Sequence, residues 1–270
     1  MRWIFILFLP TIIVAADPMQ FAPFMRTATG TTDFLTIPEL ALWIDASRAS
    51  MSNDVNNPIQ EGNLVPGGDD LSLSNHTVAV YGDNPTWHSS GGAGLSKPYM
   101  TITNGGIGTL GSLSTSTTFT LVAVFRLLTR TGPISDGTFV GFNDTLNPFM
   151  SVDIGGTATF NDHFTNSMQM QNGGSFSSGL NSVTHSVWYI GTFVFDAASS
   201  LMRTNGVVLA TGTVGTTAAP GGAVQFGGRS GSSTSYSSYD LMRALVWGRR
   251  LSADEITAVE LQCNQDFAIY

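Results

Sequence analysis

Apolar and polar positions along this chain alternate in short runs, and the runs are separated by Gly, Ser, Thr, Asn and Pro. A period of two is the spacing of a half-buried strand, and the separating residues are those of turns. The segment 40–47, "LALWIDAS", reads as a strand entering a turn at Asp45. Within 69–87, Thr77 and Ala79 fall on one face, and Val78 and Val80 on the other. Residues 117–128, "TTFTLVAVFRLL", are apolar on both faces and β-branched or aromatic, which predicts a strand covered on both sides. Further strands are predicted at 137–142, 148–155, 158–162, 167–171, 185–196, 200–210 and 223–229. In 167–171, Met168 and Met170 oppose Gln169 and Gln171. Asn205-Gly206, set between two apolar runs, marks a tight hairpin. Strands at hairpin spacing with no intervening helix predict an all-β fold: a two-sheet antiparallel jelly-roll sandwich over residues 38–270.

The pattern changes once, near the end. The strand 241–247 runs into Gly248-Arg249-Arg250, and then into a helical period with Ile256, Val259, Glu260 and Cys263 on one edge. Ser252 and Glu255 have the spacing of a capping box, and Asp254 and Glu255 suit the positive end of a helix dipole. One short C-terminal helix is therefore predicted, packed on the sandwich because it is too short to stand alone.

Composition narrows the partners. The formal charge is −8 and only 11% of residues are charged, so no basic stripe exists to displace counterions from a nucleic acid. Cys263 is the single cysteine, which excludes an intrachain disulfide and reads as a small buried residue on the last helix. At the start, Arg2, an apolar run from Trp3 to Val14 and then Ala15-Ala16 have the layout of a signal peptide cut after Ala16. An apolar anchor retained in an assembly is the other reading of residues 1–16. Residues 17–37, with Pro18 and Pro23, read as a linker or arm, and residues 1–37 as the segment through which neighbouring subunits would be contacted.

The segments "IPELALWIDAS", "HSVWYIGTFVFDAASSLMRTNGVVL", "VQFGGR" and "YDLMRALVWGRRLSADEITAVELQ" resemble the concanavalin A-like lectin/glucanase superfamily. Among its branches they are most similar to the laminin-G-like jelly rolls of bacterial secreted and of phage and virion proteins. The resemblance covers roughly residues 38–265 and rests on strand and turn motifs. It implies two antiparallel sheets, one concave, with any glycan site on that face or its rim. Trp87 and His88, with Tyr236 and Tyr239, are the candidate ligand contacts, because sugars stack on aromatic faces beside polar groups. Trp43, Trp188 and Trp247 lie in apolar strands and read as core. Calcium is the cofactor the resemblance admits, and Asp45, Asp196 and Asp240 at strand ends are its candidate ligands. A turn or hydrogen-bonding carboxylate is the preferred reading of each of the three.

Hydrolytic members of the superfamily need two glutamates facing one another across the cleaved bond. Here Glu39, Glu61, Glu255 and Glu260 all lie outside the strand positions that motif requires. Asp153 and Asp162 would be the substitutes, with His163 adjacent. The expectation is a protein that is not an enzyme: a structural or adhesive module on a virion exterior or an exported cell-surface assembly, with a polysaccharide surface as partner. A soluble secreted lectin is the alternative, and a glycoside hydrolase or lyase ranks below both.

Overall fold

A computed structural model describes residues 33–47, 78–82, 86–93, 97–103, 105–112, 117–128, 136–142, 150–155, 167–171, 174–179, 182–215, 223–226 and 238–270. The predicted leader 1–16, most of the arm, the strand 158–162, Tyr236, Asp162 and His163 lie outside these residues. Among the described residues no helix is long and apolar enough to cross a membrane.

Two antiparallel sheets form the sandwich that the alternation predicts. The first has eight strands. Seven follow the order β13 (Val207–Val214), β12 (Ala197–Thr204), β11 (Trp188–Phe195), β6 (Phe119–Leu127), β15 (Tyr239–Trp247), β4 (Tyr99–Ile102) and β3 (Thr86–His88). The eighth, β1 (Leu40–Asp45), shares with β4 the edge of β15 that faces away from β6. The second has seven: β10 (Ser175–Ser177), β9 (Met168–Gln171), β8 (Met150–Gly155), β7 (Asp136–Phe142), β14 (Ala223–Phe226), β5 (Gly105–Ser112) and β2 (Val78–Gly82).

The eight-stranded sheet is apolar on both faces, which explains why β6 lacks alternation. Leu121, Ala123, Phe125 and Leu127 enter the core between the sheets, where Phe125 and Tyr239 pack on Phe139 at 4.5 and 4.7 Å. Val122 and Val124 point the other way, into a second cluster with Ile190, Val194, Leu245 and Trp247. That outer cluster is covered by helix α1 (Ala253–Phe267) through Ile256, Val259, Cys263 and Phe267. The capping box at Ser252 and Glu255 forms as its spacing predicts. A positive φ at Asn205 and Gly206 closes the β12–β13 hairpin, and Met168 and Met170 are buried against half-exposed Gln169 and Gln171. Trp43 and Trp247 are core, and Cys263 is buried.

The segment before β1 and two of the strands differ from expectation. Packing reaches into the segment read as arm, at Phe34 and Ile37. Phe34–Thr36 form a 3-10 turn, and the Phe34 ring meets Trp43 edge-on at 5.3 Å while its N–H donates to Gln262 Oε1 of α1 at 2.8 Å. β4 and β5 were not foreseen: β4, "YMTI", is only four residues long, and β5, "GGIGTLGS", has loop composition. Pairing of β5 with β14 and β2 overrides that local preference.

Candidate functional site

Helix α1 and the 3-10 turn cover only part of the outer face of the eight-stranded sheet. Alternation carries that face past Val122 and Val124 to Arg126, the one charge in β6. The register then sets a row of side chains straight across the sheet. Trp188 of β11 pairs with Arg126, Arg126 with Asp240 of β15, Asp240 with Thr101 of β4, and Thr101 with Thr86 of β3. Five adjacent strands contribute, so the row is roughly 19 Å long at ~4.8 Å per strand.

The row is bonded internally. Arg126 Nε donates to Asp240 Oδ2 at 2.8 Å, and Nη2 donates to the same oxygen. Thr101 Oγ1 donates to Asp240 Oδ1 at 2.7 Å. The guanidinium lies 4.7 Å over the Trp188 ring and 5.5 Å from the Tyr99 centroid, and the two rings stand at 79° to each other. Tyr99 also stacks on His88 at 4.3 Å and 12°. His88 Nε2 lies 2.9 Å from Thr101 Oγ1. A threonine hydroxyl has one hydrogen, and here Asp240 takes it, so His88 must donate to Oγ1. Neutral His88 therefore carries its proton on Nε2, and Nδ1 is an acceptor with no partner among the described residues. Asp240 is buried, Arg126, Thr101, Tyr99, Trp188 and His88 are half-buried, and Thr86 is exposed. The result is a flat polar and aromatic strip in which the single ion pair is internally compensated.

Of the four residues expected to contact a ligand, this strip contains His88. Trp87 alternates away from it, packs on the core between the sheets, and donates Nε1 to Ala46 O at 3.1 Å. Tyr239 is 0% exposed, with its hydroxyl on Phe139 O, so the reading of it as a rim contact is corrected to core. Tyr236 is outside the described residues.

The three aspartates expected to hold calcium do not converge. Each is engaged by an arginine: Asp45 by Arg243 Nη2 at 2.8 Å, Asp196 by Arg250 Nη1 at 2.6 Å, and Asp240 by Arg126. Asp45 also accepts from Ser47 N–H, and the Asp196 backbone closes the turn with Ser200. These are turn and ion-pair carboxylates, and the calcium-ligand reading of the three gives way to that. Among the described residues no group of three or more His, Cys, Asp or Glu is placed to hold a metal.

Sequence reasoning missed Arg126, Tyr99 and Thr101, and read Trp188 as core. The available signal was a lone arginine near the end of an apolar strand, with an aspartate at the head of another. Buried charges of that kind are paired.

No protein-family model matches the chain, and no curated protein matches it significantly. Solved structures do match in fold. Domain 4 of AbnA, an extracellular arabinanase from Geobacillus stearothermophilus, in complex with arabinotriose, is 11% identical with a TM-score of 0.55, over 82% of this chain and 98% of that one. The binding domain of Paraclostridial Mosquitocidal Protein 1 is 12% identical with a TM-score of 0.56, over 84% and 52%. The botulinum neurotoxin serotype D/C binding domain is 10% identical with a TM-score of 0.52, over 83% and 52%. The chain thus spans nearly all of the arabinanase domain and about half of each toxin binding domain. At these identities the likeness is one of fold: a jelly-roll-like β-sandwich.

Proposed function

We propose that this protein is a non-catalytic recognition module of the concanavalin A-like, laminin-G-like kind, a structural or adhesive component of an exposed surface that binds glycan at the strip Trp188–Arg126–Asp240–Thr101–Thr86 with His88 and Tyr99. The observation that carries the reading is this strip, where accessible aromatic edges stand beside hydrogen-bonding groups held rigidly by their own network. Preorganised polar groups next to aromatic rings are what sugar recognition requires. The strip's carboxylate is already committed to Arg126 and Thr101, and no second carboxylate faces it along the row, so acid–base cleavage has no pair of groups to use there. The arabinotriose bound by the arabinanase domain supports a sugar as the ligand for a sandwich of this shape.

Screening the full-length chain on a glycan array tests this, alongside His88→Ala and Trp188→Ala variants whose folding is verified by circular dichroism. Binding by the parent chain that drops about tenfold in both variants is the expected result; about tenfold corresponds to one lost interaction of ~1.4 kcal/mol. A parent chain that binds no glycan, or folded variants that bind undiminished, would defeat the proposal.

A further inference from the structure

Resting on that reading, we infer that the ligand is a neutral, linear polysaccharide lying crosswise to the strands, and that His88 and Thr86 read its hydroxyl groups at one end while Trp188 supports it at the other. Three observations lead there. First, the functional groups are laid out as a row and not as a pocket. The register places one side chain per strand on β11, β6, β15, β4 and β3, in a line. A line roughly 19 Å long suits an extended chain better than a single terminal sugar, which calls for a closed depression.

Second, the row offers no uncompensated charge. Two of the Arg126 nitrogens are spent on Asp240, which is itself buried and also bonded to Thr101. Lys97 precedes β4 and is not one of the paired positions that make up the row. The whole chain carries −8, which repels a polyanion at long range. An acidic glycan would meet no free cation in the row to offset that repulsion, whereas a neutral one meets only donors and acceptors.

Third, those donors and acceptors alternate. His88 Nδ1 is an acceptor by the tautomer argument, and the Thr86 hydroxyl can give or take a hydrogen bond. Arg126 Nη1, which makes no hydrogen bond among the described residues, is a donor three strands further along the row. Neighbouring sugar hydroxyls, each able to donate and accept, satisfy such an alternation. A carboxylate or sulfate cannot donate to Nδ1.

The test uses the full chain and isothermal titration calorimetry with a linear neutral glucan and a linear arabinan, each as oligosaccharides of increasing length. A carboxymethylated or sulfated form of the same polymers serves as the charged counterpart. Affinity for a neutral series should rise with length until the row is filled and then level off. It should change less than twofold between low and high salt, since screening acts on charges. His88→Ala and Thr86→Val should each weaken it about tenfold, while Val207→Ser on the distant edge strand β13 should leave it unchanged. Tighter, salt-sensitive binding of the charged counterpart would overturn the neutral assignment while leaving glycan recognition intact. Affinity independent of length would overturn the crosswise chain. Failure of every polymer, neutral and charged, would overturn this inference together with the proposed function.

Discussion

Arg243 of β15 joins β1, the 3-10 turn and α1. A bulge between Leu241 and Arg243 turns Met242 and Arg243 to the same outer side. There the guanidinium pairs with Asp45 of β1 and with Asp266 of α1 at 2.7 Å, and lies over the Phe34 and Phe267 rings at 5.3 and 4.6 Å. Burial works against its charge, but the Asp45 and Asp266 carboxylates outweigh it and hold the group above its ordinary value. Truncating one partner leaves Asp45 charged and buried. Arg243→Met should therefore lower the unfolding free energy by about 3–5 kcal/mol in urea titrations. A loss below about 1 kcal/mol would show that the network is not structural.

Two glutamates of the helix respond oppositely to pH. Hydrogen bonds from Arg249 and Ser252 bring Glu255 from 4.5 down to about 2 against some burial. Its folded pKa is depressed, so its stabilisation is complete above 4.5 and disappears as pH falls toward 2. Burial raises the Glu260 carboxyl against the hydrogen bond from Thr192 and the charge of Arg203. Its contribution is complete below its ordinary value and is lost as pH rises through the raised one. Glu255→Gln should flatten the acid limb of a stability profile measured between pH 5 and pH 2, leaving the limb above pH 5 in place. An unchanged acid limb would assign the acid sensitivity to other carboxylates.

At the scale of elements, the closing helix exists because the eight-stranded sheet is apolar on both faces and the second sheet covers only one. An all-β chain of this kind needs a lid for the other face, and one amphipathic helix supplies it. The same two-sided packing constrains β11. An added Cβ at Gly191 would lie 2.7 Å from the Phe125 ring and 2.9 Å from the Phe193 ring, both in the core between the sheets. Gly191→Ala should cost about 1–3 kcal/mol through overpacking, read as a lower midpoint in thermal unfolding. An unchanged midpoint would mean that the rings give way without strain. Much of this was legible in the residues: β6 as a strand covered twice, the methionine face of β9, the Asn-Gly hairpin and the capping box are each local patterns. Strands β4 and β5 were not: β4 is only four residues long, and the glycines of β5 carry no strand preference, so its partners decide.

For the whole molecule, legibility divides along the same line. Fold class followed from local period and turn chemistry. The candidate site did not, because Trp188, Arg126, Asp240, Thr101 and Thr86 are scattered over the chain and meet only through register. His88 was found because it stands out beside Trp87, and that same adjacency misled, since neighbours in a strand face opposite ways. The aspartates were held as turn carboxylates first and calcium ligands second, and the choice turns on Arg126, Arg243 and Arg250 reaching them, which no local pattern shows.

β1 and β4 lie on the same edge of β15, so everything between Asp45 and Tyr99 leaves that strand and returns to it. The excursion passes through β2, an edge strand of the second sheet, and then β3, a three-residue strand paired in its sheet only to β4, and β3 carries Thr86 and His88. The end of the strip that distinguishes one sugar from another thus belongs to a segment whose ends are both fixed to the same strand. Length changes within such a closed excursion cost little, since closure entropy grows only slowly with loop length. In evolutionary terms, what this surface recognises can drift by exchanging β3 and its flanking residues, while the core beneath β6, β11 and β15 keeps its sequence and its stability.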